Sequence, residues 1–424
     1  MGSKKHINMK TSNAHINNKF SRNNKALFNY YKFYNCYKKI KGTPEPFLLK
    51  KFRKTAWTEM GKSFWGDLHR EDWRYTKYDV FFPGAFISSN SYNITIKGLT
   101  DKDISAGVRA IKYPEQMSEV LPFIQDNGQT GYFYDKWTLL NASLFNRGVF
   151  VDIPKNYKAE RTLYIQHNFA ENGMEFPLTY IKLNEGSELN LIEEYNGGMH
   201  GLKHIISNTI INLAANSKLN HVFIQTLSRE SRSLFYQNAV LGRDSEFQTH
   251  SVHLGSKTGR VIQNIEFREP GGYLKNYGLL YGCKKQHIDI ETNQIHKAPH
   301  TGGELLYRHV LADRAKSIFK GKIVIEKGKT FCNATQKNEN LLLSPKAEAI
   351  SLPKLEISND EVQCSHGVTI SSIDDEQLFY LASRGIGMNE ARKMIVEGFF
   401  EEIIKKSATQ DIAEVISRKV KEVL

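Results

Sequence analysis

Two groups of residues in this chain have the types and spacing for chemistry. The first is His287, Asp289, Glu291, His296 and His300. On a β-strand alternate side chains share a face, so His287, Asp289 and Glu291 would point together. Imidazole plus carboxylate suits a divalent metal. A β-helix enzyme acting on polysaccharide through a metal at His287, Asp289 and His300 is one function such a set would serve. The plainer alternative is the polar outer face of a strand, and the spacing favours it. The second group is Cys364-Ser365-His366-Gly367. At i and i+2, Cys364 and His366 share a face if the segment is a strand. A thiolate and an imidazole are both ligands for iron. Two ligands are too few for a closed site, so a subunit interface would have to supply the rest. By spacing alone, a buried cysteine beside a surface histidine is the simpler reading.

The usual signatures of catalysis are missing. Gly61-Lys62-Ser63 and Gly328-Lys329-Thr330 supply the end of a phosphate-binding loop, but the earlier glycine is replaced by Ala56 and Ile323. There is no GxGxxG, GxSxG or HExxH. The four cysteines, Cys36, Cys283, Cys332 and Cys364, form no CxxC pair. Zinc ribbons and thioredoxin-type redox motifs are thereby excluded, and a disulfide scaffold is disfavoured.

The 424 residues allow two or three domains, or one large core with appendages. Hydrophobic residues at 40% and charged residues at 24% are ordinary for a globular chain. No run approaches the roughly 18 apolar residues of a membrane-spanning helix. The net charge of +13 is unevenly placed. The first fifty-four residues carry fourteen Lys and Arg against one acid, Glu45, and the rest balances at 44 of each sign. A neutral body disfavours nucleic acid as a partner. The arm itself leaves three readings open: a transit peptide, a nucleic-acid tail with stacking aromatics, or an ordinary N-terminal helix.

From about Leu163 to Ile370, short apolar runs alternate with Gly, Asn, Ser, Asp and Lys. Thr209–Leu213, His221–Gln225, Ile262–Phe267, Lys322–Ile325 and Asn340–Leu343 read as strands of about five residues. A faint repeat runs through them. Gly186-Ser187-Glu188-Leu189, Asn216-Ser217-Lys218-Leu219, Asp244-Ser245-Glu246-Phe247, Gly271-Gly272-Tyr273-Leu274 and Gly302-Gly303-Glu304-Leu305 share a turn residue, a small residue and a large apolar residue. Intervals of 27 to 31 residues fit stacked coils. A parallel β-solenoid accounts for this better than an antiparallel sandwich. Before it, Phe47, Leu48, Phe52, Ala56, Trp57 and Met60 recur at helical spacing. After it come three helices. Asp374 and Asp375 start the first and Gly385 stops it, Asn389 caps the second, and the third begins near Asp411. Their apolar stripes would dock on the solenoid end or on a partner.

The chain also carries an ordered series of motifs. Gln336-Lys337-Asn338-Glu339-Asn340-Leu341-Leu342-Leu343-Ser344 is followed by Pro353-Lys354-Leu355-Glu356-Ile357. Then come Asp360-Glu361-Val362-Gln363-Cys364-Ser365-His366-Gly367 and Leu378-Phe379-Tyr380-Leu381-Ala382-Ser383-Arg384-Gly385-Ile386. Trp73-Arg74-Tyr75-Thr76 stands upstream. Together these resemble the SufB/SufD family of iron–sulfur cluster assembly scaffolds, and within it the SufD side. The resemblance covers about residues 42 to 424 and is densest from 310 to 400.

The resemblance implies a mainly β chain, with a right-handed parallel β-helix core between N-terminal and C-terminal helical domains. It divides the chain into a basic arm (1–41), an N-terminal helical region (42–80), a β-helix core (81–370) and a C-terminal helical domain (371–424) that docks an ATPase. It implies a non-catalytic subunit that pairs with a SufB-like scaffold, with a separate SufC-like ATPase; a homodimer is the alternative. It assigns His366 as the interface ligand of a nascent iron–sulfur cluster, transient and shared with the SufB-like partner. Cys364 is its neighbour. Ser365-His366-Gly367 stands where SufB-like chains carry Glu-His-Glu, and Asn338 where they carry a cysteine. A cytoplasmic setting follows, or a plastid-type organelle if residues 1–41 are a transit peptide. The long arm and Trp65 depart from the pattern.

Overall fold

Parallel strands, nearly all of seven to eleven residues, form the body of the chain. The computed structural model describes residues 24–62, 71–82, 92–125, 135–169, 172–198 and 201–424. The arm before residue 24, and Ser63 and Trp65, lie outside the described residues.

The parallel strands occupy Arg147–Ser372 and alternate between two sheets, so the chain winds as a flattened β-solenoid. One coil is typified by Lys203–Leu213 in one sheet and Lys218–Thr226 in the other. Each strand pairs in parallel with the strands one coil before and after, as Arg232–Leu241 does with Lys203–Leu213 and Thr258–Phe267. The strands are longer than the apolar runs suggest. Their inward columns also carry Ser207, Thr209, His221, Gln225, Thr249, Asn276 and Gln336, all buried. These polar residues interrupt the apolar alternation without interrupting the strand.

The repeat has a structural cause. Asn156, Gly186, Asn216, Asp244, Gly271, His300 and Phe331 stack at one corner, all with positive φ. The backbone N–H of each donates across to the next coil, as Gly186 does to Ala215 O at 3.0 Å and Asn216 to Arg243 O at 2.8 Å. At Gly271, with φ +83°, an added Cβ would lie 1.8 Å from Asp244 Oδ1, so only glycine fits. Leu189, Leu219, Phe247 and Leu274 then pair directly, as the first four tetrads predict. The fifth tetrad is displaced by two residues. Leu274 pairs with Gly303, not Leu305. The corner there is His300, held by stacking on Phe331 at 5.0 Å. Two consecutive glycines imitated the turn; they are needed because Cβ atoms would strike the Tyr273 ring and Gln294 Oε1.

The start of the solenoid is closed. Tyr92–Lys97 and Arg109–Tyr113 pair antiparallel onto the first strand of each sheet. Helices Asn24–Lys41, Phe47–Gly61 and Lys136–Leu144 pack beside them. Trp137 is fully buried among Trp73, Phe81 and Phe82. On Phe47–Gly61 the buried stripe is Leu49, Phe52, Arg53, Ala56, Trp57 and Met60, and Phe47 faces solvent. Arg53 is buried because Glu45 pairs with it at 3.0 Å and Tyr113 Oη accepts from it. Phe33 and Tyr37 are buried as well, Tyr37 stacked on Trp57 at 4.4 Å. Those two rings are core and not platforms for bases.

The chain ends in helices Asp375–Ser383, Met388–Lys405 and Gln410–Lys421. Asp374 caps the first through Glu376 N–H at 2.9 Å. The second is capped by Gly387, which places Asn389 in its first turn. The last two helices do not close the solenoid end. Val396, Phe400, Ile403, Ile412, Ile416 and Val420 cover the outer face of the nine-stranded sheet, over Val222, Ile224, Val252, Leu279 and Val310. Arg308 pins them: it donates to Glu339 at 2.6 Å, to Phe399 O at 2.7 Å and to Glu402.

Candidate functional site at the open end of the solenoid

The last coil is built from Glu348–Ile357 and Val362–Ser372. Among the described residues each pairs only backward, with Lys316–Ile325 and Cys332–Leu342 respectively. Both therefore present a free edge of backbone N–H and C=O groups, which chains normally cover or blunt. Val368, Ile370 and Leu352 stay 41%, 48% and 39% exposed on these edge strands. Apolar side chains that face the core in earlier coils are here left at a mouth.

Cys364 and His366 lie on the last strand, in the columns that point inward. His366 pairs with Gln336, whose side chain crosses the interior to donate to Gly321 O at 3.2 Å. Cys364 pairs with buried Ala334. The i, i+2 reading thus holds: both side chains stand on the lumen side, at the mouth. His366 is exposed. Cys364 is half-buried against Ile323, Ile325 and Cys332. Burial raises the Cys364 thiol pKa, an Ala334 backbone hydrogen bond opposes this, and Cys332 adds to the rise. A protonated thiol is a weak ligand until a cation draws off its proton. Among the described residues no group of three or more His, Cys, Asp or Glu is placed to hold a metal ion. His366 and Cys364 form at most an incomplete donor set.

Asn338 lies one coil deeper, below Val368. It is buried, donates to Tyr307 O at 3.2 Å and accepts from Asn340 Nδ2 at 2.9 Å. Asn338, which the resemblance sets where a SufB-like chain would have a cysteine, is thus a satisfied amide on the lumen side.

The other candidate set is not a site. His287, Asp289 and Glu291 do share one face, but cations and a neighbouring segment already occupy it. Arg260 pairs with Asp289 at 3.0 Å and Glu291 at 2.7 Å, and Lys320 reaches Asp289 at 3.5 Å. Thr76 donates to Asp289 Oδ2 at 2.7 Å, so its oxygen accepts from His287 Nε2–H at 2.8 Å. Burial lowers the His287 pKa. The Asp72 backbone carbonyl accepts hydrogen bonds from Arg260 and Lys320, both at 2.7 Å, and Trp73 lies 4.2 Å from the Arg260 guanidinium. His300 is at the distant corner and His296 is bound to Thr301 at 2.7 Å. The metal-enzyme reading built on His287, Asp289 and His300 is therefore withdrawn. The motif Trp73-Arg74-Tyr75-Thr76 is a clamp that ties the N-terminal region to the solenoid. Its sequence signal was the motif itself; its partners lie some 190 to 250 residues away and left none.

The model for "SUF system FeS cluster assembly, SufBD core domain" matches residues 165–399. The chain therefore belongs to the SufB/SufD family of iron–sulfur cluster assembly proteins, and it resembles SufD. It is similar to the iron–sulfur cluster assembly protein SufD of Escherichia coli, 28% identical over 242 residues, 57% of either chain. It is also similar to the chloroplastic protein ABCI7 of Arabidopsis thaliana, 26% identical over 340 residues, 76% of this chain and 70% of that one. A SufBD family protein of Mycobacterium leprae is 34% identical over 208 residues, 47% of this chain and 53% of that one.

Proposed function

We propose that this chain is the SufD-type subunit of an iron–sulfur cluster assembly complex and is not itself catalytic. The open last coil carries the reading: an unpaired sheet edge with exposed Val368 and Ile370, and His366 and Cys364 turned inward at its mouth. A second solenoid, SufB-like, would continue the sheets across that edge and cover the apolar mouth. His366 would then meet the nascent cluster as one ligand among several, the rest coming from the partner. Asn338 in place of a cysteine fits a chain that does not build the cluster alone.

The C-terminal region would bind a SufC-like ATPase. Phe379, Tyr380, Met388 and Met394 are 74%, 57%, 46% and 46% exposed on helices whose other faces are buried. Large apolar groups left bare on a small helical unit mark a contact surface. A cleft of about 750 Å³ opens between the last two helices, lined by Met394, Glu397, Ala413 and Ser417. ATP-driven closure of two such subunits would pull on the helices that Arg308 fastens to the sheet, and so act on the mouth.

The test is iron and acid-labile sulfide in the anaerobically purified complex with its SufB-like and SufC-like partners, wild type beside His366→Ala. The account expects loss of both elements from an intact complex. A variant that keeps its full complement contradicts the assignment of His366.

A further inference from the structure

The neutral body hides a concentrated basic groove. Arg229, Arg232, Lys257, Lys284, Lys285 and Arg314 line a concavity of about 730 Å³ on the turns that open four consecutive coils. Among the described residues none of the six makes an ion pair. Elsewhere on the solenoid, cations are matched across coils: Lys155 with Glu185 at 2.7 Å, Lys218 with Glu246 at 3.1 Å, Lys316 with Glu348 at 2.9 Å and Lys322 with Glu356 at 3.0 Å. The two acids in the groove, Asp313 and Glu230, offset only part of this charge and leave a formal excess of four. Asp313 accepts from Lys284 backbone N–H at 2.8 Å and Glu230 from Gly201 N–H at 3.3 Å. The excess of positive charge is self-repelling, and an anion relieves this.

We propose that this groove binds an acidic protein segment. Among the described residues no aromatic side chain lines it, which disfavours a nucleobase in need of a stacking platform. Leu202, 44% exposed at its edge, offers an apolar contact that a bare polyanion would not use. Three inter-coil steps span about 14 Å, the length of four or five extended residues. Arg guanidiniums take carboxylates in pairs of parallel hydrogen bonds, and the lysines adapt around them. The groove lies on the turns and not at the mouth, so binding there is separate from the role of His366.

The probe is a fluorescein-labelled peptide of six glutamates flanked by leucines, followed by anisotropy with the full chain at about 0.1 M salt, where surface charges are screened beyond roughly 10 Å. Charge reversal at Lys257, Lys285 and Arg314 (each →Glu) should weaken binding at least tenfold. The same reversal at Lys50, Lys51 and Lys54, equal in charge and placed on the basic N-terminal region, should change it less than twofold. The milder set Lys257→Gln, Lys285→Gln and Arg314→Gln should weaken it about threefold and guards against a folding defect. Equal losses in the two reversal sets would reduce the effect to net charge and overturn the proposal. So would failure of the wild type to bind, or displacement of the peptide by tripolyphosphate at concentrations below those of unlabelled peptide.

Discussion

The two ends of the solenoid are made of the same coil but finished in opposite ways. At the start, antiparallel strands Tyr92–Lys97 and Arg109–Tyr113 satisfy the sheet edges. Trp73, Phe81, Phe82 and Trp137 fill the space beside them. At the finish, Glu348–Ile357 and Val362–Ser372 have no forward partner among the described residues, and the C-terminal helices bypass the mouth to lie on the sheet's outer face. A chain able to bury Trp137 completely at one end has the means to cap the other. The bare end fits the proposed completion by another chain.

Four substitutions and a titration would break or sharpen this contrast. The largest effect belongs to the closed end. Trp137→Ala removes a fully buried indole from the aromatic cluster and should cost about 3–5 kcal/mol in denaturant unfolding. Next is the clamp. Asp289→Ala leaves Arg260 and Lys320 short of a carboxylate. Because Glu291 still pairs with Arg260, the loss should sit near about 3 kcal/mol, the low end for a broken buried pair.

Counted per histidine, the solenoid interior comes third. Burial pushes His253 and His309 down to about 3 and His296 to about 4. The folded state holds them neutral, whereas the unfolded chain protonates them near pH 6.5. Their contribution is whole above pH 6.5 and is lost as pH falls toward 4. Stability should drop by about 1.4 kcal/mol per pH unit for each such histidine below pH 6.5. The urea midpoint at pH 7.5 and pH 5 measures it, and His309→Gln should flatten the slope. The smallest effect belongs to the open end. Ile370→Asp, 48% exposed in the wild type, should change the stability of the single chain by less than about 0.5 kcal/mol. It should nonetheless abolish association with a SufB-like partner in size-exclusion chromatography. A large stability loss there would show that the mouth is core and erase the contrast.

The solenoid was legible in sequence because its corners demand positive φ, and Gly186, Asn216, Asp244 and Gly271 advertise it. The register failed at His300 because a histidine can take that conformation when Phe331 stacks on it. The i, i+2 spacing of Cys364 and His366 was readable because strand geometry alone fixes a shared face. That the face is a mouth was not readable, since an absent neighbour leaves no residue to see. The basic groove escaped for a related reason. A balanced sum of charges says nothing of where they lie, and stacking brought together cations that stand up to 85 residues apart.

Hydrogen–deuterium exchange of Val362–Ser372, in the chain alone and with the proposed SufB-like partner, tests the open end most directly. Alone, the edge strand should exchange quickly while Arg232–Leu241 in mid-solenoid stays protected. In the complex, protection should appear across Val362–Ser372 and Glu348–Ile357. A stable complex in which both strands still exchange at their free rates would place the partner elsewhere and contradict the account.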